Sequence, residues 1–351
     1  MTTIDVIEAR DTDLAEWDRY ATSHQRSTVY HLSPWARIFG DALGYRSWLL
    51  IAKTGAGGTC GILPLYLVRG LAGRRLVAVP FRDRGGPIFD SPAALTALLR
   101  YAGELARREQ AGMLLKSLDP LPQDAVTLDL ARRDHWIHSR MPITDLTRDA
   151  LWERIGNKNR NMVRQAQKSG LIAVCATSAP GAAERWHSLH VQTQRRLGVP
   201  PFPLRFFTLM LDALAPSGSI ELVEIRNREV PCAATVLFFH RDTCIYGYSA
   251  SSAAGQRLRA NDLMLFEAIA LAADRKLACF DFGSDSPSQK SLLFFKSKWG
   301  AEQNVIPVYA SQDVGVTDSS DVKYALARMV FRAMPPAVLS WLGSRVVKRF
   351  G

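Results

Sequence analysis

Lys296 closes the apolar run Leu292, Leu293, Phe294 and Phe295, with Lys298, Trp299 and Gly300 after it. A lysine in that position is either a surface residue laying its stem along apolar neighbours or an ammonium held against Phe294, Phe295 and Trp299. In the second case it is poorly screened and acts strongly on developing negative charge. Upstream, Phe280 and Phe282 alternate around Asp281, the pattern of a strand with unlike faces. Gly283, Ser284, Asp285, Ser286 and Pro287 follow with turn chemistry. Residues 279–300 therefore read as strand, polar turn and second apolar run, meeting at one cation.

Other residue types could act beside it. Asp119, in the string KSLDP, either orients an amine or ends a strand through a local side-chain turn before Pro120. Arg82 and Arg84, in the glycine-bearing loop FRDRGGP, either line a cleft or occupy a solvated turn. A helix is expected from Asp149 to Ser169. Its wheel puts Trp152, Ile155, Met162, Val163 and Ala166 on one side and Lys158, Arg160, Arg164 and Lys168 on the other, a face that is either solvated or holds phosphates. His187 and His190 lack a nearby carboxylate or cysteine, so no metal site is expected there.

These pieces together resemble the FemAB-like branch of the GNAT acyltransferase superfamily, the aminoacyltransferases of the peptidoglycan-bridge type. DFG followed by FFKSKWGAE is similar to that branch's D-F-G…F-K-x-x-W-G-x-E block. In the same order come HLSPWARIFG, GILPLYLVRGLAGRRLVAVPFRDRGGP, KNRNMVRQAQKSGL, RRLGVPPFP, YGYSAS and RANDLMLFEAI, so the likeness spans residues 28–350. It looks closest to the FemAB-like proteins encoded with exopolysaccharide and exosortase systems. One departure stands out: those relatives usually carry arginine after DFG, where this chain has Ser284 and Asp285.

The resemblance implies an N-acyltransferase, aminoacyl by preference, acting on an amine of a cell-envelope or exopolysaccharide precursor. It assigns Lys296 to the reacting centre and Asp119 to the acceptor amine. Lys158, Arg160 and Arg164 fall to phosphate contact. Beside these, Tyr248, Ser249 and Asn261 are candidates for the donor side, and Phe295, Trp299, Asp281, Arg82 and Arg84 for substrate binding. No bound cofactor is expected, and the co-substrate is either aminoacyl-tRNA or acyl-CoA. An acetyl-CoA site needs glycines at a helix N-terminus so that backbone N–H groups reach the pyrophosphate. Here that loop reads Arg257, Leu258, Arg259, Ala260, Asn261, Asp262. The missing glycines favour the charged tRNA. The alternatives are an acyl-CoA-dependent sugar-amine acetyltransferase and a non-catalytic module for RNA or an anionic membrane.

Helices and strands must position these residues, and their order is legible. Helices are expected after Asp11 to Asp13, after Ser33-Pro34 and after Ser91-Pro92, with strands in SWLLIAK, CGILPLYLVRG, RRLVAVP and GMLLKSLDP. The later half runs SIELVEIRN, PCAATVLFFH, TCIYGYSAS, a helix and ACFDFGS: three strands, a helix and a strand, the order of a GNAT core. The expectation is an α/β chain with mixed sheets and two tandem GNAT-like domains, residues 1–145 and 146–312, followed by a helical tail over 313–351.

Composition sets outer bounds. At 351 residues with 47% hydrophobic content the chain can bury two cores. Forty-four lysines and arginines against 33 acids leave a net charge of +11, which favours polyanionic partners: RNA, anionic lipid, or phosphate-linked substrates. Cys60, Cys175, Cys232, Cys244 and Cys279 are odd in number and widely spaced, as suits reduced thiols. The charged start MTTIDVIEAR and the lack of a long apolar stretch predict a cytoplasmic protein without a transmembrane segment, with peripheral contact to the inner membrane face as an option for the tail.

Overall fold

A computed structural model describes residues 3–70, 73–81, 84–117, 119–122, 130–311, 314 and 325–350. In chain order its elements are β1 (Ile4–Glu8), α1 (Leu14–Ser23), α2 (Pro34–Leu43), β2 (Arg46–Thr54), β3 (Thr59–Gly70), β4 (Gly73–Val77), β5 (Ile88–Phe89), α3 (Pro92–Glu109), β6 (Gly112–Lys116) and β7 (Leu130–Pro142). There follow α4 (Arg148–Arg154), α5 (Asn157–Lys168), β8 (Leu171–Cys175), α6 (Ala182–Leu197), α7 (Leu204–Leu214), β9 (Ile220–Asn227), β10 (Val230–His240), β11 (Thr243–Ser251) and α8 (Ala253–Arg257). Last come α9 (Ala260–Asp274), β12 (Cys279–Asp285), α10 (Lys290–Lys298), β13 (Glu302–Ser311), α11 (Ala325–Ala333) and α12 (Pro336–Val346). Two units result, taken over their described residues: Met1–Trp136 with Val305–Asp318 and Val346–Gly351, and Ile137–Asn304 with Ser319–Arg345. The sequence places a boundary near residue 145; the division falls inside β7, and the described residues from Val305 to Val314 return to the first unit.

In the first unit the strands run β1-β2-β3-β4-β6-β13, with β5 on β3. Ser91 caps α3 by accepting from Ala94 N at 3.2 Å, and Pro92 starts the helix where its missing N–H costs nothing. Leu95, Leu98, Leu99 and Ala102 of α3 cover Leu50, Leu63, Leu65, Leu76 and Leu115 of the sheet. Trp17 of α1 packs with Ile51 and Ile62, whose side chains alternate with Leu50 and Leu63 and so lie on the other face.

In the second unit the order is β7-β12-β11-β10-β9-β8. Leu237 and Phe239 of β10 belong to a core with Leu263, Met264, Phe266 and Ile269 of α9. Phe238, between them, turns to the opposite face beside Tyr248 and so toward Trp186 of α6. The single helix expected from Asp149 to Ser169 is two helices. Ile155 is extended (ψ 134°) and Gly156 forms the N-cap of α5, which lets Ile155 bury almost completely. Val163 and Ala166 of the expected apolar side are buried, Trp152 and Met162 half so.

Candidate active site

The parallel ladder between β11 and β12 pairs Thr243 with Cys279, Cys244 with Phe280 and Ile245 with Asp281, and ends there. Beyond that point β11 stays with β10 as far as Ser251, while β12 stays with β7 through Ser284 and Asp285. The two strands diverge into a wedge. A bulge bends each wall. In β12, three steps from Asp281 to Ser284 match two steps on β7, and Gly283 takes φ 75°, so the expected turn at Gly283 is a bulge and the strand continues to Asp285. On the β11 side the register shifts opposite Gly247, where a Cβ would lie 2.4 Å from Phe238 Cε2.

A bulge leaves backbone groups without ladder partners, and side chains supply them here. Asp281 Oδ1 accepts from Gly283 N at 2.8 Å. Lys296 Nζ donates to Phe282 O at 2.7 Å and approaches Gly283 O at 3.5 Å. Its ammonium also lies 2.5 Å from Asp285 Oδ2, and both residues are buried. The expectation of a cation bathed in apolar side chains is therefore corrected: Phe294 is 60% exposed, and a carboxylate and two carbonyls enclose Lys296. Asp281, fully buried, accepts from His138 Nε2 at 2.9 and 3.1 Å and has Arg140 Nε at 4.0 Å. Sequence reasoning missed His138. Its only signal is the alternation of β7, which turns His138 and Arg140 to one side.

Around this cluster, Trp299 is fully buried, its ring 6.3 Å from that of half-buried Phe295. Asn159, the buried polar residue of α5, donates from Nδ2 to Lys298 O at 3.1 Å and so caps α10. The basic residues of α5 are not equivalent. Arg160 is engaged by Glu153 at 2.9 Å and Asn157 at 2.5 Å. Lys158 is exposed, and so is Arg164, whose guanidinium lies 5.0 Å over Trp152.

On β11, Tyr248 is enclosed by the rings of Trp186, Phe202, Phe206, Phe207 and Phe238, whereas Ser249 is exposed. Tyr246 is pushed up to about 12 by burial and stays protonated. Asn261 is half-buried in the first turn of α9. The residue before that helix, Arg259, takes φ 63°, a conformation glycine adopts more cheaply, and Ala260 is fully buried. His187 and His190 hold the proline loop: His190 Nε2 accepts from Phe202 N and His187 Nε2 donates to Phe202 O, both at 3.1 Å. Among the described residues no His, Cys, Asp and Glu cluster could hold a metal.

Asp119 belongs to the first unit. It is exposed, 3.6 Å from Arg26 Nε, at a cleft also lined by His31, Arg84, Gly85, Gly86 and Ser117. Arg84 is buried, so the loop lines a cleft at that residue; Arg82 lies outside the described residues. Gly86 is required, since a Cβ would sit 2.6 Å from Lys116 O. His31 Nδ1 accepts from Thr28 N at 3.0 Å, which fixes the tautomer and makes Nε2 the donor to Gly86 O at 2.9 Å.

Residues 156–290 match the model of the acetyltransferase (GNAT) domain. The second unit carries a GNAT domain. No curated protein sequence matches the chain. Among solved structures, FemX is similar with 18% identity over 88% of this chain and 97% of its own, at a TM-score of 0.66. A tandem GNAT protein from the clavulanic acid biosynthesis pathway is similar with 13% identity over 91% of this chain and 100% of its own, at 0.55. L-PGS from Bacillus licheniformis is similar with 9% identity over 97% of this chain and 98% of its own, at 0.56. The fold is the expected mixed α/β tandem GNAT arrangement; the matched residues include β11, β12 and Asp281, while His138 and Lys296 lie outside them in the same unit.

Proposed function

We propose that the protein is an N-acyltransferase that moves an aminoacyl group from an activated ester to an amine of a cell-envelope or exopolysaccharide precursor. The observation that carries this reading is the wedge between β11 and β12, walled by the Lys296 cluster, in a chain folded like FemX. The amine nitrogen attacks the ester carbonyl, the C–N bond forms as the C–O bond breaks, the amine gives up a proton and the departing alkoxide gains one. Lys296 holds the β12 wall and places a cation beside the wedge. Asp285 partly neutralises that cation, so its pull on an oxyanion is weaker than that of a bare ammonium. Asp119 is assigned to orienting or deprotonating the acceptor ammonium. Lys158 and Arg164, both exposed, serve phosphate groups of the donor or acceptor.

An acyl-CoA donor is the second reading, favoured by the acetyltransferase description of the matching domain. Against it stands the sequence at the start of α9, where Arg259 and Ala260 take the place of the glycines that allow a pyrophosphate close backbone approach. The purified protein is incubated separately with aminoacyl-tRNA and with acetyl-CoA, each with an extract of envelope precursors, and products are followed by mass spectrometry. Aminoacylated precursor supports the reading and acetylated precursor replaces it with the second. A mass-unchanged precursor pool in both arms, and in a deletion strain compared with its parent, refutes both.

A further inference from the structure

Helices α11 and α12 are seated on their unit along one side only. Phe331 of α11 is buried, and the helix backbone lies so close to Gly198 that a Cβ there would be 2.6 Å from Arg328 O. On α12, Leu339 and Gly343 turn inward, the latter with room for no Cβ beside Pro201. Opposite Phe331, the positions Leu326, Met329, Val330 and Ala333 fall in one sector about 100° wide. Leu326, Met329 and Val330 are 73%, 68% and 47% exposed, and Val338 and Trp341 of α12 are 47% and 59% exposed. Large apolar side chains grouped on an outer face mark an interaction surface.

The charges choose its partner. Residues 322–351 contain no aspartate or glutamate but carry Lys323, Arg328, Arg332, Arg345, Lys348 and Arg349. Exposed Arg332 borders the α11 stripe, and Arg345 lies 4.1 Å over the Trp341 ring. A second copy of the chain meeting this face on a two-fold axis would bring arginines together with no acid on these helices to offset them. An anionic lipid surface offers the complement: headgroup phosphates for the arginines, the acyl boundary for the apolar stripe and the interface for the tryptophan. We propose that α11 and α12 dock the protein on an anionic bilayer. The proposal is independent of the donor used in catalysis.

The test is flotation of the full-length protein with vesicles of phosphatidylglycerol and phosphatidylcholine in equal parts, and with phosphatidylcholine alone. Binding to the anionic vesicles at low salt is expected, weakening as salt rises, with roughly tenfold less on the neutral ones. Each of Arg332→Gln and Arg345→Gln should weaken it about fivefold. The combined Leu326→Ser, Met329→Ser and Trp341→Ser variant, altered only at exposed positions, should lose flotation while keeping the parental melting temperature. Full-length protein that stays with the unbound fraction at low salt overturns the proposal, and so does a triple variant that floats like its parent. A dimer that the triple variant dissociates, without flotation of either protein, assigns the face to a second copy and equally overturns it.

Discussion

Lys296 and Asp285 form a buried ion pair of 2.5 Å at the end of β12. The lysine is thus held by a carboxylate of its own strand–helix unit. Lys296→Met is expected to lower turnover about 10²-fold or more, the scale for loss of a fixed electrostatic group. It also leaves Asp285 buried without its cation, at a cost of about 3 to 5 kcal/mol. Asp285→Asn separates the two effects. If the ammonium acts on the reacting carbonyl, the Asn variant retains activity that Lys296→Met has lost. Equal loss in both, tracking melting temperature, would reduce Lys296 to a strut for the bulge.

The bulge itself can be tested through Phe282, whose ring packs on Phe280 at 5.0 Å and is almost wholly buried. Phe282→Ala should destabilise the protein by about 3 to 5 kcal/mol. Denaturant titration checks this, and an unchanged midpoint would mean that β12 does not pack as described.

How far the fold and site are legible in the sequence depends on sequence separation. The buried side of α5, Val163 and Ala166, follows from the helical period alone, because period and burial express one geometry. The break before α5 does not: glycine inside a helix costs only about 1 kcal/mol relative to alanine, so Gly156 could not by itself announce the break that burial of Ile155 makes favourable. Gly283 is legible as a left-handed position but not as a bulge, since turns and bulges make the same demand on φ. His138 is beyond reach because its partner Asp281 lies 143 positions away, and nothing local in either strand encodes that pairing.

Acid should unfold the protein through its buried histidines. Burial pushes His31 down to about 4, His190 well below the ordinary value, and His187 down as well. Each is therefore neutral when folded, and the unfolded chain binds more protons once the pH drops below the free histidine value of about 6.5. Stability is complete above that value and is lost as pH falls from about 6.5 toward 4, by about 2 kcal/mol at pH 5 from His31 alone. Melting temperatures between pH 7 and 5 check the sign: a rise on acidification would contradict the neutral, hydrogen-bonded histidines.

The basic face of α5 gives a salt test whose choice of residues comes from the pairing pattern. Arg160 is already committed to Glu153 and Asn157, so of the three cations assigned to phosphate contact Lys158 and Arg164 remain for a phosphate-bearing substrate. Replacing both with glutamine should raise KM and leave kcat nearly unchanged, since these cations bind the ground and transition states equally. Removing each cation–phosphate pair should also flatten the dependence of binding on ionic strength, by about 0.7 in the logarithmic salt slope if the partner is single-stranded nucleic acid. Arg160→Gln alone should change this slope far less. If the double variant keeps the parental KM and salt slope, α5 is a solvated helix surface and phosphate binding must be sought elsewhere in the unit.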